Sequence, residues 1–258
     1  MSKIHKTALI NREADLDTDV EIGPYSVIGP GVRIGKETKV ASHVVIEGRT
    51  SLGRGNVVYQ FATIGSRPQD LKYRGESSEL IIGNYNTIRE YVSLNPGTAG
   101  GGMVTRVGDH NLLMMHCHIA HDCLLGSHNI IANGATLGGH VVVNDYVIVG
   151  GLVGIHQFAR IGSGAILGAG SMVSKDVPPF CNATGDRARL RGLNLEGLKR
   201  RGFTKTAIDA LKKAYRIIFQ SKLKTKDALE TVRREVTPSP EIDMLLDFIA
   251  HSQRGICR

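Results

Sequence analysis

Of the seven histidines in the middle third of the chain, five, His116, His118, His121, His140 and His156, form the group of interest. Imidazole changes charge near neutrality, so it serves as a general base, a proton carrier or a metal ligand. Two chemistries compete for this group. His118, His121 and His140 would offer three nitrogens to a zinc ion with a fourth position open. Alternatively one imidazole removes a proton while the others bind a polar substrate. The pair His121-Asp122 favours the base, because a neighbouring carboxylate can fix the tautomer and stabilise the imidazolium. Nucleophilic catalysis by Cys117 or Cys123 is the poorer reading, since both fall where small inward residues are expected.

Spacing acquires meaning only through the element that carries it, and here that element is a repeat. An aliphatic residue recurs every sixth position from Ile4 through Ile10, Leu16, Ile22 and onward to Ile64. The pattern resumes at Ile82, Ile88 and Leu94, and then runs from Val107 to Val173. A period of six fits neither helix nor plain strand, but it fits a short flat strand followed by a corner, three of which close a triangular coil of eighteen residues. Small residues four places on, such as Ala8, Ser26 and Ala62, would fill the corners. The glycines that directly follow the aliphatic residue, such as Gly23, Gly29 and Gly35, would supply a positive φ. Coils stacked at about 4.8 Å give roughly nine layers and a prism about 43 Å long, whose open ends need covering.

Adding eighteen to 121 gives 139 and then 157, so His121, Gly139-His140 and His156-Gln157 should lie above one another on one edge. Two segments break the register and should bulge out: Ser66 to Leu80, with Gln69, Asp70, Lys72 and Tyr73, and Ala99 to Thr105. Insertions kept on a strict solenoid are candidate functional loops. After Pro178-Pro179 the period becomes helical. Thr204 should cap one helix with Ile208, Leu211, Tyr215 and Ile218 on one face. Lys226 to Val236 forms a second, and Ser239-Pro240 starts a third with Ile242, Leu245 and Ile249 inward. The expected units are therefore 1-180, an all-β solenoid, and 181-258, an α-helical domain covering its end.

Composition agrees with a repetitive fold: 31 glycines, no tryptophan and 5% aromatic residues. Residues 1 to 182 carry 15 basic and 15 acidic side chains, so 17 of the 32 basic and 9 of the 24 acidic groups lie beyond, and the whole +8 excess is C-terminal. Such a segment suits an acidic protein or a nucleotide diphosphate, though charge by itself does not choose among anionic partners. The charged first twenty residues read as neither signal peptide nor membrane helix, which places the chain in the cytoplasm with no membrane span.

Four segments together are specific: Gln69-Asp70-Leu71-Lys72-Tyr73, His118 to Cys123, Ile155-His156-Gln157-Phe158, and Asn194 to Phe203 (NLEGLKRRGF). On these the chain resembles, from Ile4 to Gly255, the acyl-[acyl-carrier-protein]:UDP-N-acetylglucosamine O-acyltransferases of lipid A biosynthesis. The resemblance implies a left-handed parallel β-helix, an exception to the right-handed crossover rule, assembled as a homotrimer with sites between neighbouring prisms. It further implies transfer of a 3-hydroxyacyl group from acyl carrier protein to the glucosamine 3-hydroxyl of UDP-N-acetylglucosamine, with no cofactor, metal or nucleic acid. By motif, His121 is the base, Asp122 supports it, and the Gly139 N–H stabilises the oxyanion. Asp70, His118, His140 and His156 contact the sugar, and Lys72 and Gln157 lie near it and the diphosphate. Asn194, Glu196, Arg200 and Arg201 receive nucleotide or carrier groups, and Ala169 ends the acyl groove and sets chain length.

One position departs from the family pattern: Asn95 replaces a common histidine and removes a titratable group, which leaves open whether a 3-amino sugar analogue is accepted. The hexapeptide rows are also shared with other acyltransferases, including the N-acyltransferase of the same pathway, and with gamma-class carbonic anhydrases. The former normally carry an extra N-terminal domain, whereas here the repeat starts at Ile4. A scaffold without catalysis is the third alternative, against which the stacked histidines argue.

Overall fold

The structure, a computed structural model, describes residues 3–258. Short parallel strands, mostly of two residues, build three faces of a prism. The first face runs from Lys3–Ile4 to Ile166–Leu167 and has 11 strands, the last two being Cys181–Thr184 and Arg189–Leu193. The second, from Leu9–Ile10 to Met172–Val173, has 9, and the third, from Asp15–Leu16 to Arg160–Ile161, has 8. Partners lie eighteen residues apart, as in Ile4↔Ile22. Where the loops are inserted the offset grows, to Ile64↔Leu94 and Leu94↔Ile119, while the aliphatic residue stays in register. The second residue of each strand points inward, so Ile22, Ile46, Ile64, Leu94, Ile119 and Leu137 are all buried. Each such side chain contributes about 1.5–3 kcal/mol on burial.

The corners correct one expectation. Gly23 and Gly35 do not adopt positive φ; a Cβ on either would lie 2.6 or 2.7 Å from backbone carbon of the next coil, so stacking is what excludes a side chain there. The left-handed residue comes two places later, and it is usually not glycine: Tyr25, His43, Phe61, Tyr91 and His116 have φ between 57° and 64°. Their rings stack along the edge between the first and second faces, and this contact offsets part of the strain. His116 thus stands on a different edge from His121, His140 and His156.

The antiparallel hairpin Cys181–Thr184/Arg189–Leu193 that ends the first face leads into α1 (Leu195–Arg200), α2 (Lys205–Tyr215), which continues as a π-helical turn to Gln220, α3 (Thr225–Glu235) and α4 (Pro240–Ala250). Thr204 and Ser239 cap α2 and α4 as expected, whereas the hairpin and the short α1 are additions to the sequence reading. The helices share a core of Phe180, Leu198, Leu211, Ile218, Val232 and Leu245. They are fastened to the last coil by buried Asp176, which accepts from Ser252 Oγ at 2.7 Å, and by Arg160 over the Phe248 ring at 4.7 Å. The opposite end is not covered among the described residues: Ile4, at an inward position of the first coil, is 47% exposed. No helix of the described chain is long and apolar enough to cross a membrane.

Candidate active site

The edge between the second and third faces is made by the four-residue corners that follow His118–Ile119, Thr136–Leu137 and Gly154–Ile155, three strands paired in register. The His140 N–H donates to the His121 carbonyl and the Phe158 N–H to the Gly139 carbonyl, both at 3.0 Å. These bonds set residue 121 below 139 and 139 below 157, as the eighteen-residue arithmetic predicts. The His140 ring stacks flat on Phe158 at 4.3 Å and meets His121 edge-on at 5.1 Å.

His121 and Asp122 form the centre. The imidazole Nδ1–H donates to Asp122 Oδ2 at 2.8 Å, and the aspartate side chain is fully buried. The second loop supplies the remaining donors: the Thr98 N–H reaches Oδ1 at 2.9 Å and the Thr98 hydroxyl reaches Oδ2 at 2.7 Å. A buried carboxylate needs such donors to stay ionised. Its backbone N–H donates to Thr105 Oγ1 at 2.7 Å. With Nδ1 committed, Nε2 is the nitrogen left for a substrate proton. Gly139 lies against it, since a Cβ there would come 2.7 Å from Nε2 and 2.6 Å from Cε1. The Gly139 N–H donates to no acceptor among the described residues.

Other expected residues gather around this pair. His118 projects from the adjoining face with Nδ1 2.8 Å from Ser93 Oγ, and burial lowers its pKa, aided by the neighbouring His121. Burial also lowers the pKa of His140, opposed by the charges of Asp122 and Asp70. Asp70 lies on the first loop, where its Oδ1 accepts from the Lys72 N–H at 2.9 Å. Glu76 joins the two loops by accepting from the Ala99 N–H at 3.0 Å. Asn95 is buried, donates to the Ser66 carbonyl at 2.9 Å, and leaves its Oδ1 without a partner. His156 and Gln157 are exposed beside an open groove of about 580 Å³ that continues along the second face past Ile155, Met172 and Arg187. Ala169 is exposed on the neighbouring edge and does not line this groove.

The geometry bears on two expectations about reactive groups. The histidine trio weighed for zinc is not the group assembled; His121, Asp122 and His140 are, with one ligand atom of each within 4.8 Å of the others. Even that set fits a resident metal poorly, because Oδ2 already accepts two hydrogen bonds and His121 Nδ1 is one of the donors. Cys117 and Cys123 are buried and burial pushes both thiols up to about 12, so neither is a thiolate near neutrality.

The C-terminal candidates sit elsewhere. Asn194 caps α1, its Oδ1 accepting from the Gly197 N–H at 2.9 Å while its Nδ2 donates to the Gly164 carbonyl at 3.0 Å. Glu196 and Arg200 form an exposed pair at 3.2 Å, and the Arg201 guanidinium lies 4.2 Å over the Tyr146 ring. Tyr146 belongs to the edge between the third and first faces, so one chain does not bring Asn194, Glu196, Arg200 and Arg201 to the His121 edge. The sequence reading missed Thr98, Thr105 and Ser93. All three meet the dyad or its neighbour through contacts between coils, which no local motif marks.

A buried carboxylate, an oriented imidazole and a free N–H beside it can deprotonate a hydroxyl and hold an oxyanion. Comparison with known proteins agrees with that class. The family profile described as "Udp N-acetylglucosamine O-acyltransferase; Domain 2" matches residues 176–257, and the bacterial transferase hexapeptide profile matches 16–48 and 105–139. The acyl-[acyl-carrier-protein]–UDP-N-acetylglucosamine O-acyltransferase of Thermodesulfovibrio yellowstonii is 52% identical over 258 residues, all of both chains. That of Myxococcus xanthus is 51% identical over the same full length. The structure of LpxA from Acinetobacter baumannii superposes with a TM-score of 0.97 at 48% identity, covering 99% of each chain. The chain belongs to the acyl-[acyl-carrier-protein]–UDP-N-acetylglucosamine O-acyltransferase family, and its fold is a left-handed parallel β-helix with a C-terminal helical part.

Proposed function

We propose that this chain transfers a 3-hydroxyacyl group from acyl carrier protein to the 3-hydroxyl of UDP-N-acetylglucosamine, the first step of lipid A biosynthesis. The observation that carries the reading is the His121–Asp122 pair with Gly139 packed on the imidazole. His121 Nε2 takes the hydroxyl proton as the oxygen attacks the thioester carbonyl, and Asp122 stabilises the imidazolium that forms. The Gly139 N–H stabilises the oxyanion. The attack forms the new C–O bond and the oxyanion; collapse re-forms the carbonyl, breaks the C–S bond, and returns the proton from His121 to the departing thiolate. A thioester is already activated, so one base and one oxyanion donor suffice.

Asp70, His118, His140 and His156 hold the sugar in this reading, Lys72 and Gln157 lie by the diphosphate, and Asn194, Glu196, Arg200 and Arg201 bind nucleotide or carrier. It assigns residues 1-180 to the catalytic solenoid and 181-258 to the recognition unit, in a cytoplasmic homotrimer. The separation of Arg201 from His121 within one chain supports the trimer, because a neighbouring prism would supply the missing edge. Light scattering should give three times the 27.9 kDa chain mass, and a monomer with full activity would overturn the shared site.

Incubation with carrier thioesters of graded length and UDP-N-acetylglucosamine, or its 3-amino analogue, tests the activity itself. Failure to acylate either sugar would sink the proposal. Ala169 is exposed and away from the groove of its own chain, so it bounds the acyl chain only where a neighbouring prism packs on that edge. In such a trimer Ala169→Met should move donor preference toward shorter chains, since overfilling costs about 1–3 kcal/mol. An unchanged length profile would place the end of the groove at another residue.

A further inference from the structure

The reaction as proposed uses His121, Asp122 and Gly139, yet the aspartate is not held by its own coil. Two of the three hydrogen bonds to its carboxylate come from Thr98, at 2.9 Å to Oδ1 and 2.7 Å to Oδ2, and the third is the imidazole at 2.8 Å. Thr98 is itself buried and opens the second inserted loop, whose Gly101 passes so close that a Cβ would fall 2.0–2.4 Å from the carboxylate atoms. The loop therefore covers Asp122, excludes water from it and replaces that water with two fixed donors.

We infer that Thr98 is a positioning residue of the catalytic dyad, and that the second loop is retained on the solenoid to deliver it. The inference rests on His121 acting as the base. The Thr98 hydroxyl and His121 Nδ1–H share one acceptor atom, so the hydroxyl fixes which carboxylate oxygen faces the imidazole and draws off part of its negative charge. Without that donor, Oδ2 becomes a stronger acceptor for the imidazole, and the imidazolium is held more tightly. The orientation of the ring toward Gly139 is also less closely set. The charged or titratable groups facing His121 are Asp122 in its own corner, His140 on the coil above, His118 on the adjoining strand, and Asp70 through His140. Only Asp122 loses a partner when Thr98 is changed.

The test uses the full chain. Thr98→Val keeps the side-chain shape and the backbone N–H but removes the hydroxyl, while Thr98→Ser restores it. Histidines labelled at Cε1 report the titration of each imidazole by NMR, and His121 is assigned by its loss in His121→Ala. The expected result for Thr98→Val is an upward shift of the His121 titration midpoint, with kcat reduced about tenfold and KM for the sugar unchanged. Thr98→Ser should return both to the parent values. An unmoved His121 midpoint in folded Thr98→Val, or a shift that Thr98→Ser fails to reverse, overturns the positioning role. The NMR readout needs no turnover, so it separates this failure from failure of the transferase reading, which would appear as parent protein inactive with both sugars.

Discussion

Histidines stand in the ring columns of all three edges of the prism, and the edge of His121 differs from the others in what surrounds them. On the edge between the third and first faces, Tyr85, His110, His128 and Tyr146 stack nearly parallel, with centroids 4.7–5.1 Å apart. The residue before each ring caps the coil behind it. The Arg54 N–H donates to Asn84 Oδ1 at 2.9 Å, the Asn84 N–H to Asp109 Oδ1 at 2.6 Å, the Asp109 N–H to Ser127 Oγ at 3.0 Å, and the Ser127 N–H to Asp145 Oδ1 at 2.7 Å. On the His121 edge the same column reads His121, Gly139, Gln157 and caps nothing. A corner N–H that is capped on one edge is free at Gly139 on the other. The difference between scaffold and site is thus one column of side chains plus an inserted loop, on identical backbone.

The comparison breaks most visibly at the histidines. His121→Ala should lower turnover by about a hundredfold or more, the usual scale for a lost general base, with fold and assembly intact. His128→Ala should leave turnover near the parent value and lower stability by about 1–3 kcal/mol, the scale of its two ring–ring contacts, with His110 and Tyr146. Equal effects of the two substitutions in steady-state assays would mean that the edges do not differ in the way described.

Much of this contrast is legible in the sequence, and the missing part has a physical cause. The period of six places Ile119, Leu137 and Ile155 inward, and eighteen-residue addition then aligns 121, 139 and 157. That arithmetic holds because each coil repeats one backbone. It fails across the insertions, where the partner of Ile64 is Leu94 rather than residue 82. An irregular loop such as 95–103 has no period from which to infer that Thr98 meets Asp122. The Asn194 segment is recognisable as a motif, but its seat beside Tyr146 depends on how α1 leaves the hairpin, which side-chain pattern does not encode. Positive φ falls at Tyr25 and its equivalents and not at Gly23, because glycine serves two needs, left-handed backbone and close approach, and sequence shows only the residue.

The cap pattern can be transplanted. Gln157 stands one coil beyond Gly139, as Asp145 stands one coil beyond Ser127. Gln157→Asp should aim a carboxylate at the Gly139 N–H and occupy the donor that the oxyanion requires. Loss of one such donor costs about a hundredfold in kcat or more. Gln157→Asn, which brings no charge, should cost less. Single-turnover rates that are unchanged in the aspartate variant would show that the Gly139 N–H is not the oxyanion donor.

Arg200 and Arg201 extend the comparison to the scaffold edge, where Arg201 lies over Tyr146 and Arg200 is exposed. If that edge serves recognition rather than chemistry, replacing either with alanine should raise KM for nucleotide sugar or carrier severalfold at low salt and less at high salt, because exposed charges are screened within about 10 Å at 0.1 M salt. A fall in kcat with constant KM would move them into the chemical step.

The smallest expected effect concerns His118, which shares the catalytic neighbourhood but faces Ser93 instead of a carboxylate. Its pKa is lowered in the folded chain, chiefly by burial and secondarily by His121. The unfolded chain then binds the proton more readily, so between the ordinary histidine pKa of about 6.5 and the lower folded value, stability rises with pH. Acidification from pH 7 toward pH 5 should therefore destabilise the parent protein through this group. His118→Gln keeps a hydrogen-bonding partner for Ser93 but cannot be protonated in that range. Its urea midpoint should consequently fall less over the same interval, although the midpoint at pH 7 itself stands somewhat below the parent. His140, also lowered by burial, remains in both proteins and contributes equally to each, so the difference between the two curves isolates His118. Parallel curves would show that His118 is solvated enough to titrate normally, and with it the polar wall of the proposed sugar site would be open to water.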